Sequence, residues 1–133
     1  MENIYFQKPY VTVGFDKTTQ AVCVMHHVPQ TSSEFRLTIL KGIECFKQHM
    51  REGDSLSWLS DTRKQGALSQ EDILWCSELL KKECIKLQKM ALVMPQSLFG
   101  TLTMEQFVNQ NNQKGIANRV FASVNQAKGW LLA

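Results

Sequence analysis

Leu56-Ser57-Trp58-Leu59-Ser60, then Asp61-Thr62-Arg63-Lys64-Gln65-Gly66, then Ser69-Gln70-Glu71-Asp72-Ile73: these three runs read as a strand, a polar loop and a helix start. Ser69 has a hydroxyl suited to an N-cap, and Asp72 stands where a capping box usually has Glu. The helix that follows carries an apolar stripe of Ile73, Cys76, Leu80, Cys84 and Leu87, widened by Trp75 and Leu79. Met90-Ala91-Leu92-Val93-Met94 comes next, closed by Pro95. A continuous apolar run of that length fits a strand buried on both faces, as in a parallel sheet. Residues 56–94 thus read as one β-α-β unit.

Working outward, the same alternation continues. Downstream, residues 97–112 read as a helix interrupted by Gly100, residues 116–121 as a strand weakened by Asn118, and Ser123 with Gln126 as the cap of a last helix bearing Val124, Ala127, Trp130 and Leu131. Upstream, Thr31 and Glu34 match a capping box, with Ser32 as the alternative cap. Phe35, Ile39, Ile43, Phe46 and Met50 then form a helical stripe, and Gly53 is the expected stop. Residues 10–15 alternate, with Val11, Val13 and Phe15 on one face; residues 21–27 form a second β-rich run, and the polar loop 16–20 makes the two a hairpin. The predicted order is β-β-α-β-α-β-α-β-α: a mixed, mostly parallel sheet of about five strands with four helices and an N-terminal hairpin, right-handed at its crossovers.

At 133 residues the chain fits a single domain spanning 1–133, with residues 1–9 as an N-terminal extension. Hydrophobic residues at 44% and charged residues at 20% are ordinary for a folded domain and argue against disorder. A net charge of +3 is too small to predict nucleic-acid binding. No apolar run is long enough to span a bilayer. The start, Met1 to Gln7, lacks a basic head and apolar core. It resembles a protease-cleavage sequence, from which Ile4 and Lys8 depart, and we read it as native. A cytoplasmic location is expected. Cys23, Cys45, Cys76 and Cys84 form no C-x-x-C pair and sit in apolar stretches, so reduced core thiols are expected.

Trp58-Leu59-Ser60-Asp61-Thr62-Arg63-Lys64, followed by Leu68, Ser69, Asp72 and Trp75, resembles the W-L-x-D-N-R-K loop and L-S-x-x-D-x-x-W helix of the bacterial STAS-like, SpoIIAA-like family. Val93-Met94-Pro95 with Phe99, and Phe121 through Ala127 to Trp130-Leu131, resemble two further motifs of that family. The resemblance covers about residues 10–132. It implies a β-α superhelix with helices beside a central sheet, and no established activity. Better-known relatives are anti-anti-sigma factors, which act by binding proteins; distant ones are lipid-exchange domains. Thr62 replaces the usual Asn, and the D-S-S-G phosphorylation motif is absent, so phosphoswitch regulation is not carried over to Ser69.

Open α/β sheets bind ligands beyond the carboxyl ends of their parallel strands. Arg63 and Lys64 are expected there, near the N-terminus of the Ser69 helix, whose free N–H groups favour an anion. The candidate site is therefore Asp61, Arg63, Lys64 and Ser69, taking a phosphate or carboxylate. Against it stands a structural reading in which Asp61 pairs with Arg63 and Ser69 only caps its helix. His26 and His27 point to opposite faces of a strand and cannot chelate one metal together. No nucleophile elbow, phosphate loop or metalloprotease motif is present, so neither a catalytic site nor a cofactor is expected. Lys81, Lys82, Lys86 and Lys89, near Glu78 and Glu83, read as a solvated helix face. Since Met90, Leu92 and Met94 would face one side of the sheet and Ala91 and Val93 the other, a homodimer covering a bare face is expected. The leading functional expectation is a non-enzymatic binding or regulatory module working through an unknown protein partner; the alternative is a small-molecule or lipid carrier.

Overall fold

The computed structural model describes residues 3–51, 54–93 and 116–133. Nine elements follow one another there: β1 (Asn3–Lys8), β2 (Val11–Asp16), β3 (Ala21–His26), α1 (Ser32–His49), β4 (Leu56–Asp61), α2 (Gln70–Glu83), β5 (Leu87–Val93), β6 (Ala117–Phe121) and α3 (Val124–Leu132). They form an α/β domain around a six-stranded mixed sheet in the order β1-β2-β3-β4-β5-β6. The β1–β2 and β2–β3 pairs are antiparallel; β3–β4, β4–β5 and β5–β6 are parallel.

Local chemistry explains most boundaries. The Thr31 hydroxyl accepts the Glu34 N–H at 3.2 Å while the Glu34 carboxylate accepts the Thr31 N–H at 3.0 Å, a complete capping box for α1. Ser69 caps α2 by accepting the Asp72 N–H, and Ser123 caps α3 by accepting the Gln126 N–H. The β2–β3 hairpin closes over residues 17–20, with Gln20 in the left-handed region at φ 53° as its last turn residue. Gly66, at φ 81°, closes the loop after β4 against Pro29.

Alternation along the strands divides the apolar residues between two cores. Val11, Val13 and Phe15, Val22 and Val24, Leu56 and Trp58, and Met90 and Leu92 join the stripes of α1 and α2 in the larger core. Ala21, Cys23, Leu59, Ala91 and Val93 join Ala127 and Leu131 of α3 in the smaller one, on the opposite face. Asp72 locks the first layer together. Its buried carboxylate accepts Ser32 Oγ at 2.9 Å and Arg36 Nε at 2.8 Å, tying α1 to α2. It does not complete a capping box on Ser69.

Five expectations need correction. Residues 3–8, read as an extension, form an edge strand, because Tyr5 and Phe6 pack against the larger core. The sheet therefore has six strands rather than five. Helix α1 stops at His49, its C-cap Met50 turning to extended backbone before Gly53, which lies outside the described residues. Helix α2 ends at Glu83, and Leu87, placed in its stripe, instead opens β5. Lys89 belongs to β5 and not to a helix face: its Nζ donates to the carbonyls of Trp130 and Ala133 at 3.0 Å each, holding the C-terminus of α3. The expected helix over 97–112 and the Pro95 turn lie outside the described residues; those described hold three helices, against four expected over the whole chain.

Candidate functional site

The sheet order never reverses, so the described strands have no topological switch point of the kind that opens a crevice at strand ends. The rim residues do converge. Asp61 ends β4, and Asp61, Arg63 and Lys64 line a hollow of about 260 Å³ with Met25, His26 and His27. Ser69 does not line it; its hydroxyl is engaged as the α2 cap.

The charge of that rim is largely used internally. Arg63 Nε and Nη2 donate to the two Asp61 oxygens at 2.8 and 2.6 Å, a bidentate fork. The Arg63 backbone N–H adds a longer contact to Oδ1 at 3.3 Å. Burial pushes the Asp61 carboxyl up, but the Arg63 side chain, its N–H and its charge prevail, leaving it below the usual carboxylate range. Lys64, exposed, is the remaining cation of the rim.

His26 is buried at the end of β3, and burial pulls its imidazole down to about 4, so it is neutral at physiological pH. Gln30 lies beside it and favours the protonated ring, yet neither His26 Nδ1 nor Gln30 Oε1 completes a hydrogen bond of normal geometry.

A larger site lies on the face that carries α3. That helix packs over β4, β5 and β6 through Ala127 and Leu131. The same face of β2 and β3 lies beside the helix and forms the floor of a groove of about 580 Å³. Thr12, Asp16, Cys23, Met25 and Leu59 make the floor and ends. Val124, Lys128 and Leu132 make the wall, spaced four residues apart and so stacked along one side of α3. The small side chain of Cys23 leaves room here that a larger one would fill.

The groove is apolar in the middle and polar at both ends. At one end Thr12 Oγ1 and His27 Nε2 share a hydrogen bond of 2.8 Å. At the other, about 13 Å along β2 at ~3.3 Å per residue, Asp16 accepts the Thr18 N–H at 2.9 Å and faces Lys128 Nζ at 3.3 Å. Burial raises the Asp16 carboxyl, but the Thr18 N–H, the nearby Thr19 hydroxyl and Lys128 outweigh it, so Asp16 stays ionised. Thr19 Oγ1 lines the same end, is buried, and completes no hydrogen bond of normal geometry.

Sequence reading missed this groove because its residues come from four elements whose juxtaposition depends on where α3 packs. The one available signal was the small and polar residues alternating with the Val11, Val13 and Phe15 face.

Among the described residues no cluster of three or more His, Cys, Asp or Glu is placed to hold a metal, and no helix is long and apolar enough to cross a membrane. All four cysteines are buried free thiols. Burial pushes Cys45 up to about 11, Cys23 and Cys84 to about 12, and Cys76 higher still. No protein-family model matches the chain, and neither a curated protein nor a solved structure is significantly similar to it.

Proposed function

We propose that the protein is a non-enzymatic binding module and that the groove between α3 and the β2–β3 hairpin holds its ligand, a small amphipathic molecule. Two readings stood open from the sequence, a regulator working through protein contacts and a small-molecule carrier. The groove favours the carrier. Its volume of about 580 Å³ falls in the range of ligand sites, roughly 300–1,000 Å³, and its apolar middle with few polar groups is their usual chemistry.

The non-catalytic reading is supported by the state of the reactive side chains. The thiols are buried and disfavour the thiolate. His26 is held neutral, and Asp61 is already paired with Arg63. A homodimer over a bare sheet face has less to recommend it than the sequence implied, since α3 covers that face over β4 and β5. The STAS-like resemblance agrees with a binding role and supplies no ligand.

Native mass spectrometry of freshly purified protein tests the carrier reading, with Val124→Trp, which fills the groove, as control. A co-purified ligand mass in the wild type that is lost in the variant is expected. A wild type that carries no added mass and binds no medium-chain amphiphile in titration overturns it.

A further inference from the structure

We propose that the ligand of this groove carries a protonated amine at its polar end, seated on the Asp16 carboxylate, with its apolar part along Cys23, Met25, Leu59 and Val124. This inference rests on the groove being the binding site.

The argument turns on which charge in the groove is fixed. Asp16 is only 8% exposed and belongs to β2, so the strand fixes its backbone. The Thr18 N–H fixes its Oδ1. Lys128 is the opposite case. Its side chain is 43% exposed, and Nζ stands 3.3 Å from Asp16 Oδ2. A close ionic hydrogen bond measures about 2.7–2.9 Å. Lys128 can swing into water and leave Oδ2 to another donor; Asp16 has no such freedom.

An ammonium on the ligand would take the place of Lys128 and keep the carboxylate neutralised. It brings three N–H donors. One serves Asp16 Oδ2, and a second can be accepted by Thr19 Oγ1, the buried hydroxyl at the same end that completes no hydrogen bond of normal geometry. A carboxylate or phosphate head meets worse terms. Lys128 would be its cationic partner, and it would sit against the fixed negative charge of Asp16. The far end of the groove asks for no ion, because Thr12 and His27 already satisfy each other there.

Calorimetric titration of the full chain with decylammonium, decanol and decanoate, each below its micelle concentration or solubility limit, tests the head group. Decylammonium is expected to bind tightest, to lose about tenfold or more in Asp16→Asn, and to bind more tightly in Lys128→Met, which removes the competing ammonium. Lys128 is half-exposed, so that variant keeps the test decisive if Asp16→Asn folds poorly. Decanol binding as tightly as decylammonium, or decanoate binding best and failing in Lys128→Met, overturns the amine while leaving the groove as the site. Absence of binding by all three probes overturns the groove itself, and this inference with it.

Discussion

Replacing Gly42 by Ala tests how α1 lies on the sheet. Gly42 sits mid-helix in α1, directly over Trp58 of β4. A Cβ there would stand 2.4 Å from Trp58 Cη2 and 2.7 Å from Cζ2. Carbon atoms rest about 3.5–4.0 Å apart, so the indole or the helix must yield by about 1 Å. The indole is poorly placed to do so: Trp58 is fully buried, and its Nε1 donates to Ser60 Oγ at 2.9 Å. Overpacking of this kind costs about 1–3 kcal/mol, and a tethered ring places Gly42 at the upper end. Helix propensity works the other way, Ala being favoured over Gly by about 1 kcal/mol. The net expectation is a loss of about 1–2 kcal/mol. Gly129 of α3 supplies the internal control, since a Cβ there meets nothing within 4 Å. Gly129→Ala should keep the propensity gain and stabilise by ~0.5–1 kcal/mol. Urea unfolding of the two variants beside wild type measures both, and Trp58→Phe, which removes the offending ring atoms, should relieve the Gly42→Ala defect in a double-mutant cycle. A Gly42→Ala protein as stable as Gly129→Ala would refute the reasoning and the seating of α1 on Trp58.

Three further expectations concern ionisable groups. His26 titrates near 4 when folded and near ~6.5 when unfolded, so the unfolded chain takes the proton first; stability is full above the higher value and falls as pH drops towards the lower, by up to about 3 kcal/mol. Urea midpoints at neutral and mildly acidic pH should show a steeper loss in wild type than in His26→Gln, and equal slopes would count against a neutral buried imidazole. The four thiols should resist a disulfide exchange reagent in the native state and react together on unfolding; immediate labelling of any one would contradict their burial. Because Asp61 occupies the Arg63 fork, Arg63→Ala should leave the affinity for inorganic phosphate unchanged, whereas a loss of about tenfold (~1.4 kcal/mol) would establish the rim as an anion site.

The helices and their caps were legible in the sequence because caps act over three residues and stripes over one helix. Thr31 with Glu34, Ser69, and Ser123 all cap where the pattern placed them. The errors fell where tertiary packing decides. Leu87 has the right spacing for the α2 stripe, but the turn at Cys84 releases it into β5, with Leu87 N–H bonded to the Cys84 carbonyl. Asn3–Lys8 reads as part of an N-terminal extension for its likeness to a cleavage sequence, yet it carries Ile4, Tyr5 and Phe6 and pairs with β2 as a strand. The rim was found in part. Asp61, Arg63 and Lys64 adjoin in sequence and so converge, while the Ser69 hydroxyl is turned to its own helix. The pairing of Asp61 with Arg63, the plainer of the two readings, is the one the geometry shows.

The location of the groove follows from topology. Strands β3, β4 and β5 are parallel and neighbours in sequence order. Each step goes the same way across the sheet, and right-handed connections taken in one direction fall on one face. Helices α1 and α2 accordingly share the larger core. Among the described elements the opposite face carries α3. Its C-terminal carbonyls meet Lys89 near the start of β5, so the helix runs along the strands, and its width of ~10 Å spans about two strand spacings of ~4.8 Å. A helix of that width packs on β4, β5 and β6 and leaves the β2–β3 side as the floor of the groove. Among the described strands the order does not reverse, and the groove opens on the sheet face beside α3 rather than at the strand ends. Enlarging Cys23 would fill the groove while leaving the larger core untouched, so binding and folding are separable in this architecture.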